Sequence, residues 1–345
     1  MQENILNDKL LEGLEKMIKY MPELGAEIFV NIKKMLRIEK FQQEKVQLWN
    51  NFNKNAKNGL FMFDRNYMDY HSDRFKDNSL IFYEDEKPIA LLPCNVSQNA
   101  LYSHQGLTFG GFIVDENMKQ GKMLECFEIL KEYMQENCFE KLIYKSTPYI
   151  YHKIPAQEDL YALFRNNAEL FRVDCSTTID LRNICKMPKG RKAQISRAKR
   201  ERVMIFSSED FEAFVTLLNS VLQKQHGVNA VHSAEELKLL CSRFPQNIKL
   251  FVAKISEEII AAALLFIYDD LVHTQYLAAN EKAREIGALD LLIKTLMDEF
   301  TKSKKYFDFG ISTENNGQYL NGGLIAQKEG FGGRSIVHNV YELNL

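Results

Sequence analysis

Leu271-Val-His-Thr-Gln-Tyr-Leu277 is followed a few residues on by Arg284-Glu-Ile-Gly287-Ala288-Leu289, and then by an apolar-periodic stretch to about Ser303. The first segment reads as a strand, the second as a turn that opens a helix, and the third as that helix. A further strand covers Tyr306 to Ile311. Upstream, two strand signals, Lys249 to Lys254 and Glu258 to Tyr268, meet across a turn at Ser256-Glu257. Downstream, a short helix from about Gln318 to Lys328 leads to a strand at Ile336 to Leu343.

The same order occurs earlier in the chain. Strands at Leu80 to Tyr83 and Ile89 to Val96 flank a turn at Glu84 to Pro88. Strands beginning at Leu101 and Thr108 follow, then a helix from Gln120 to Asn137 and a strand at Lys141 to Ser146. Ile89-Ala90-Leu91 lies over Ile260-Ala261-Ala262, Leu101-Tyr-Ser-His104-Gln105 over Leu271-Val-His273-Thr-Gln275, and Gly121 over Gly287. The offset stays near 165–171 residues, which reads as a duplicated unit. The pattern predicts an α/β (α+β) chain in three parts: a helical N-terminal extension (1–35), a first domain (36–175) and a second domain (176–345). Each domain is expected to hold its own mixed, mainly antiparallel sheet flanked by helices. A helical stretch from Phe41 to Phe75 and a helix from Asp159 to Leu170 complete the first.

With 345 residues, 46% of them hydrophobic and 26% charged, the chain suits two globular cores. A net charge of −2 gives no whole-molecule field to draw nucleic acid, so no DNA partner is expected. The longest apolar run, Ile259 to Tyr268, is about half of what a bilayer-spanning helix requires. The start, Met1-Gln-Glu-Asn-Ile-Leu-Asn-Asp-Lys9, lacks the basic-then-apolar form of a secretory signal. Cys94, Cys126, Cys138, Cys175, Cys185 and Cys241 are scattered, which suits neither a disulfide framework nor zinc and fits a reducing cytosol. A cytoplasmic protein follows, with no transmembrane segment and at most peripheral membrane contact.

A run of antiparallel strands, a helix opened by a glycine-containing turn and another strand resembles the layout of GNAT N-acetyltransferases. In that family the turn amides and helix dipole hold the coenzyme A pyrophosphate. Arg284-Glu-Ile-Gly287-Ala288-Leu289 resembles the family turn Arg/Gln-x-x-Gly-x-Gly/Ala, with Leu289 at the last small position. A more specific resemblance runs from about Ile38 onward. The segments Phe61 to His71, Ser146-Thr-Pro-Tyr-Ile-Tyr151, Thr178-Ile-Asp-Leu181, Phe307-Asp-Phe-Gly-Ile-Ser-Thr-Glu314 and Gln327-Lys-Glu-Gly-Phe-Gly-Gly333 are similar to the Fem-related tandem-GNAT family. That family includes aminoacyltransferases of peptidoglycan bridges and GNAT-like proteins of surface-polysaccharide synthesis, and this sequence resembles the latter more.

The resemblance implies an acyl-CoA-dependent N-acyltransferase, with acetyl-CoA or another acyl-CoA as co-substrate. The acceptor would be an amine-bearing envelope precursor, such as an amino sugar on a small-molecule or lipid carrier. Two alternatives stand beside it: an aminoacyl-tRNA-dependent Fem-type transferase, and a non-catalytic binding protein that keeps the GNAT fold. Donor binding falls on Leu277, Arg284, Gly287 and Ala288 of the second copy.

Acyl transfer to an amine needs a base, oxyanion donors and an acid for the leaving group. His273 in its strand is the first candidate base, since imidazole titrates near neutrality. Asp308 shares a strand face with Gly310, opposite Phe307 and Phe309, and is the alternative base or ammonium ligand. Tyr319 lies where many GNAT enzymes place a thiolate-protonating tyrosine. His226, His232, Glu314 and Lys328 are candidate substrate-binding residues. His226 and His232 find no carboxylate or cysteine to complete a metal set, so no metal is expected. The basic run from Lys186 to Arg202 reads as a helix that is either a solvated face or a phosphate-steering surface.

Overall fold

The computed structural model describes residues 36–345; the expected helices within 1–35 lie outside the described residues. The first half comprises β1 (Leu36–Lys40), α1 (Val46–Asn55), α2 (Arg65–Met68), β2 (Lys76–Asp77), β3 (Leu80–Glu84), β4 (Lys87–Leu92), β5 (Asn95–Ser97), β6 (Ala100–Tyr102), β7 (Ile113–Val114), α3 (Gln120–Glu136), β8 (Lys141–Lys145) and α4 (Glu158–Arg165). There follow β9 (Glu169–Asp180), α5 (Lys189–Arg200), β10 (Met204–Ser208), α6 (Phe211–His226), α7 (Ala234–Arg243), β11 (Ile248–Ile255), β12 (Glu258–Ile267), β13 (Leu271–Ala279), α8 (Glu281–Ile286), α9 (Ala288–Phe300), β14 (Tyr306–Ile311), β15 (Thr313–Glu314), β16 (Tyr319–Leu320), α10 (Gly322–Glu329) and β17 (Arg334–Asn344).

The repeated order is present, but the sheets are not separate as the sequence led us to expect. One 11-stranded sheet runs β10-β11-β12-β13-β14-β9-β17-β8-β6-β5-β2 through both halves, and a second sheet holds β1-β3-β4-β7. The join is β17, which pairs antiparallel with β9 on one side and with β8 on the other. Joining the halves removes two sheet edges that would otherwise offer unpaired backbone groups.

Three cores lie between the layers. Leu250, Val252, Leu264 and Phe266 on one face of β11–β13 pack with Phe214 and Leu218 of α6 and Leu237 and Leu240 of α7. The opposite face presents Ala253, Ala263 and Leu265 to Leu292 and Leu296 of α9 and to Ile195 and Ala198 of α5. In the first half Phe127, Leu130 and Met134 of α3 pack on Leu80, Leu92, Leu142 and Tyr144.

Three expected elements differ. The stretch from Phe41 to Phe75 breaks after Asn55, because Asn53 turns its amide onto Leu60, giving and receiving a hydrogen bond. A Cβ at Gly59 would lie 1.7 Å from the Asn53 carbonyl oxygen, so the turn tolerates only glycine there. The helix expected to reach Leu170 stops at Arg165, Asn167 takes φ 58°, and the chain enters the long strand β9. Tyr319 and Leu320 do not begin a helix; they pair back onto Thr313 and Glu314, and α10 starts at Gly322 on the Asn321 cap.

Each half contains one parallel strand pair of the same length. In the first, Ala100, Leu101 and Tyr102 of β6 face Lys141, Leu142 and Ile143 of β8. In the second, Leu271, Val272 and His273 of β13 face Tyr306, Phe307 and Asp308 of β14. Past His273 and Asp308 the second pair ends, and β13 continues along β12 alone. The register of β13 on β12 slips at Gln275, so a bulge sits beside the parting.

Candidate active site

His273 and Asp308 are the last pair before the strands part, and their side chains meet. Nδ1 of His273 lies 2.7 Å from Oδ2 of Asp308. Asp308 is completely buried, and its hydrogen bonds come from β13, β9, the Tyr151 segment and its own strand. Oδ2 also accepts from the Tyr151 hydroxyl at 2.9 Å and from Gly310 N at 3.3 Å. Oδ1 accepts from Ser176 at 2.9 Å and Thr178 at 2.5 Å. Burial pushes the carboxyl pKa up, but the hydrogen bond and charge of His273, the charge of His338 and the Thr178 hydrogen bond outweigh it. The group is held well below the usual carboxylate range. Asp308 is therefore held as an anion that orients the imidazole.

With Nδ1 engaged, Nε2 of His273 has no hydrogen-bond partner among the described residues, and the residue keeps 9% of its surface exposed. Gly310 keeps that edge open. A Cβ there would sit 3.1 Å from Cε1 and 3.8 Å from Nε2, and its φ of 74° favours glycine in any case. An aspartate-oriented imidazole with a free Nε2 is an arrangement for taking a proton from an acceptor.

On the opposite face of the sheet lies a cleft of about 380 Å³. Leu277 and Ala279 of β13, Phe309 of β14, Leu289 and Ile293 of α9, and Phe331 form apolar walls, with Arg284, Gln327 and Lys328 as the polar groups. Lys328 donates to the carbonyls of Gly310 at 2.9 Å and Ile311 at 2.7 Å; burial lowers its pKa to about 8. Arg284 links this cleft to a shallower groove lined by Lys224 and Lys282. The parting of β13 and β14 thus stands between an apolar cleft and a buried imidazole–carboxylate pair.

The remaining expected residues are more dispersed. Gly287 and Ala288 do begin α9, but α5 covers them: a Cβ at Gly287 would lie 2.6 Å from the Gln194 carbonyl, and Ala288 is fully buried. The first turn of α9 also carries Asp290, ion-paired with Arg191 of α5. That carboxylate already complements the helix dipole, so this helix start is not the open anion cradle that the turn motif suggested. Tyr319 is 53% exposed on the β15–β16 hairpin, and Tyr151 is the tyrosine beside Asp308. Glu314 sits on the same hairpin and accepts from Asn321. His232 is buried between two tyrosines, 2.9 Å from the Tyr70 hydroxyl and 2.7 Å from that of Tyr276, and ties the first half to β13. His226 is the last residue of α6, and its side chain lies outside the described residues. No cluster of three or more metal-ligating side chains occurs among the described residues, nor any helix long and apolar enough to cross a membrane.

Residues 189–319, which hold α5, both cleft strands and the His273–Asp308 pair, match the Acetyltransferase (GNAT) domain family. The matched residues form a GNAT-type acyltransferase domain. Beyond that domain the similarity is one of fold. FemX superposes over 89% of this chain and 97% of its own, with TM-score 0.63 and 10% identity. The C-terminal domain of a putative lysylphosphatidylglycerol synthetase from Agrobacterium fabrum covers 88% and 92%, with TM-score 0.57 and 11% identity. L-PGS of Bacillus licheniformis covers 89% and 92%, with TM-score 0.54 and 16% identity. A comparison with curated proteins gave no match.

In the GNAT domain and its surroundings the sequence reading passed over Tyr151, Ser176, Thr178, His338 and Arg191. Ser176 and Thr178 share one face of β9 by alternation, a polar pair on a strand buried in the middle of a sheet. That pattern was readable as a buried acceptor's donors once β9 was placed.

Proposed function

We propose that this acyltransferase moves an acyl group from an acyl-CoA in the β13–β14 cleft to an amine held on the His273 face. The observation that carries the reading is the buried His273–Asp308 pair at the parting of these strands, with Nε2 free. Nε2 takes a proton from the acceptor ammonium, and the amine forms a bond to the donor carbonyl carbon. The carbon–sulfur bond then breaks, the nitrogen gives its second proton to the leaving thiolate, and the proton held on His273 is released to solvent. The apolar walls of the cleft suit a pantetheine-like arm. Arg284, which makes no ion pair among the described residues, stands where the cleft meets the Lys224 and Lys282 groove and suits the carrier phosphates. Lys328 is the cation nearest the reacting carbonyl. The acceptor class, an amino sugar of an envelope precursor, rests on the resemblance to the surface-polysaccharide branch.

A second reading takes aminoacyl-tRNA as donor. One observation favours it: Lys189, Lys192, Lys199 and Arg200 of α5 and the flanking Lys186 and Arg202 are exposed and make no ion pair among the described residues. Such a row suits a phosphate backbone. Titration calorimetry with acetyl-CoA and with charged tRNA separates the readings. Under the first, acetyl-CoA binds and Arg284→Ala weakens it about tenfold, the value of one charge-assisted contact. Unchanged affinity removes Arg284 from the donor site. Binding of charged tRNA alone moves the donor to the second reading, and binding of neither leaves a GNAT-fold binding protein.

A further inference from the structure

Tyr151 belongs to the first half, in the segment Pro148–His152, outside the matched domain, yet its hydroxyl lies inside the His273–Asp308 pair. It is 2.9 Å from Asp308 Oδ2 and 3.2 Å from His273 Nδ1, and the residue is buried. Its hydroxyl has one proton, and Oδ2 is the acceptor in reach whose charge is fixed; Nδ1 then keeps its own proton for the same oxygen. Burial, and next the charge of Asp308, push the Tyr151 pKa well above its ordinary value, so the hydroxyl stays a donor. The ring is fixed on both sides, by Phe109 at 4.5 Å and by Tyr268 at 5.2 Å edge-on. Phe109 in turn packs against His338 of β17.

We propose that Tyr151 is a positioning residue supplied by the first half: it shares Oδ2 with His273 and so sets how strongly Asp308 holds the imidazole. The proposal rests on the reading of His273 as the base. The other titratable groups around the pair are His338 on β17, whose Nε2 is buried without a partner, Lys328 on α10, and Tyr268 ahead of β13. None of these bonds Oδ2. Ser176 and Thr178 donate to the other oxygen, Oδ1.

The test is Tyr151→Phe in the full chain, which removes one oxygen and keeps the ring. Side-chain NMR titration of His273 reads the outcome without substrate. With one donor fewer on Oδ2, the carboxylate bonds Nδ1–H more strongly, and the His273 midpoint rises by about half a pH unit or more. Ser176→Ala, acting at Oδ1, moves it by less. An unchanged midpoint in Tyr151→Phe, or an equal rise in Ser176→Ala, overturns the proposal. If the midpoint rises but no acyl donor is turned over by the wild-type chain, the positioning role stands and the base role of His273 falls. Where turnover is measurable, the acid limb of kcat/KM shifts upward with the midpoint, while donor affinity stays the same.

Discussion

The parallel strand pairs β6–β8 and β13–β14 share one register and three paired residues each, but only the second opens into a cleft. His273 and Asp308 occupy the places of Tyr102 and Ile143. Phe309 stands where Tyr144 does, and Gly310 where Lys145 does. In the first half Tyr144 is fully buried, accepting from Phe112 N at 2.7 Å and donating to Asp159 at 2.6 Å. Phe112 and Phe127 fill the space around it, and a Cβ at Gly111 would lie 2.5 Å from its hydroxyl. The amide and aromatic groups that a ligand would otherwise meet are already satisfied by the protein. In the second half the corresponding volume is lined with apolar side chains and left open, and the buried polar pair has one nitrogen to spare. One strand geometry thus serves as a plugged joint or as an open cleft beside a buried imidazole–carboxylate pair, and the difference lies in two or three side chains.

The strongest way to break this comparison is Asp308→Asn, which keeps shape and removes charge. Turnover is expected to fall about 10²–10³-fold, the range for losing an effective general base. The pH behaviour carries a sign. The Asp308 pKa is depressed in the folded state, so its stabilisation is fully present above the unfolded value near 4 and is lost as pH falls further. The wild type should lose more stability than Asp308→Asn between neutral pH and about pH 3, followed by thermal melts. Equal losses would mean that the carboxylate is not held as described.

Leu277→Trp would make the second split resemble the first by filling the cleft from β13. Donor KM should rise about tenfold or more, with the fold unchanged by circular dichroism. An unaltered KM would show that the donor does not use this cleft.

Tyr144→Phe tests the first split. Burial raises the Asp159 pKa to about 6, and the Tyr144 hydrogen bond acts to lower it. Losing that donor should cost about 1–3 kcal/mol in urea unfolding. Turnover should stay within about twofold, because the plug is far from the proton-transfer site.

The succession of strands and helices along the second half was legible because it rests on local periodicity, and His273 and Asp308 were legible one by one, though not as a pair. Two polar residues within otherwise apolar strands, His273 and Asp308, stand out in that pattern. Tyr151 was not legible as part of the site. It comes from another half of the chain, and no spacing rule links positions 151 and 308. The strand β9 was missed for a related reason: its inward residues Asp174, Ser176 and Thr178 are polar, since they serve the buried carboxylate and its neighbours. The turn motif at Arg284 misled in one respect. It marked a helix start correctly, but the covering of that start by α5 depends on Gln194 and Arg191, nearly a hundred residues away.

The strand β17 has a consequence for biogenesis. Lys141 of β8 bonds Glu342 of β17, its neighbour in the sheet, across 201 residues of sequence. On a ribosome, the first half must wait with a bare edge at β8 until the whole GNAT domain and β17 have emerged. A nascent chain stalled before residue 334 would present that edge to any other extended segment, so its hazard is strand-swapped aggregation rather than slow collapse.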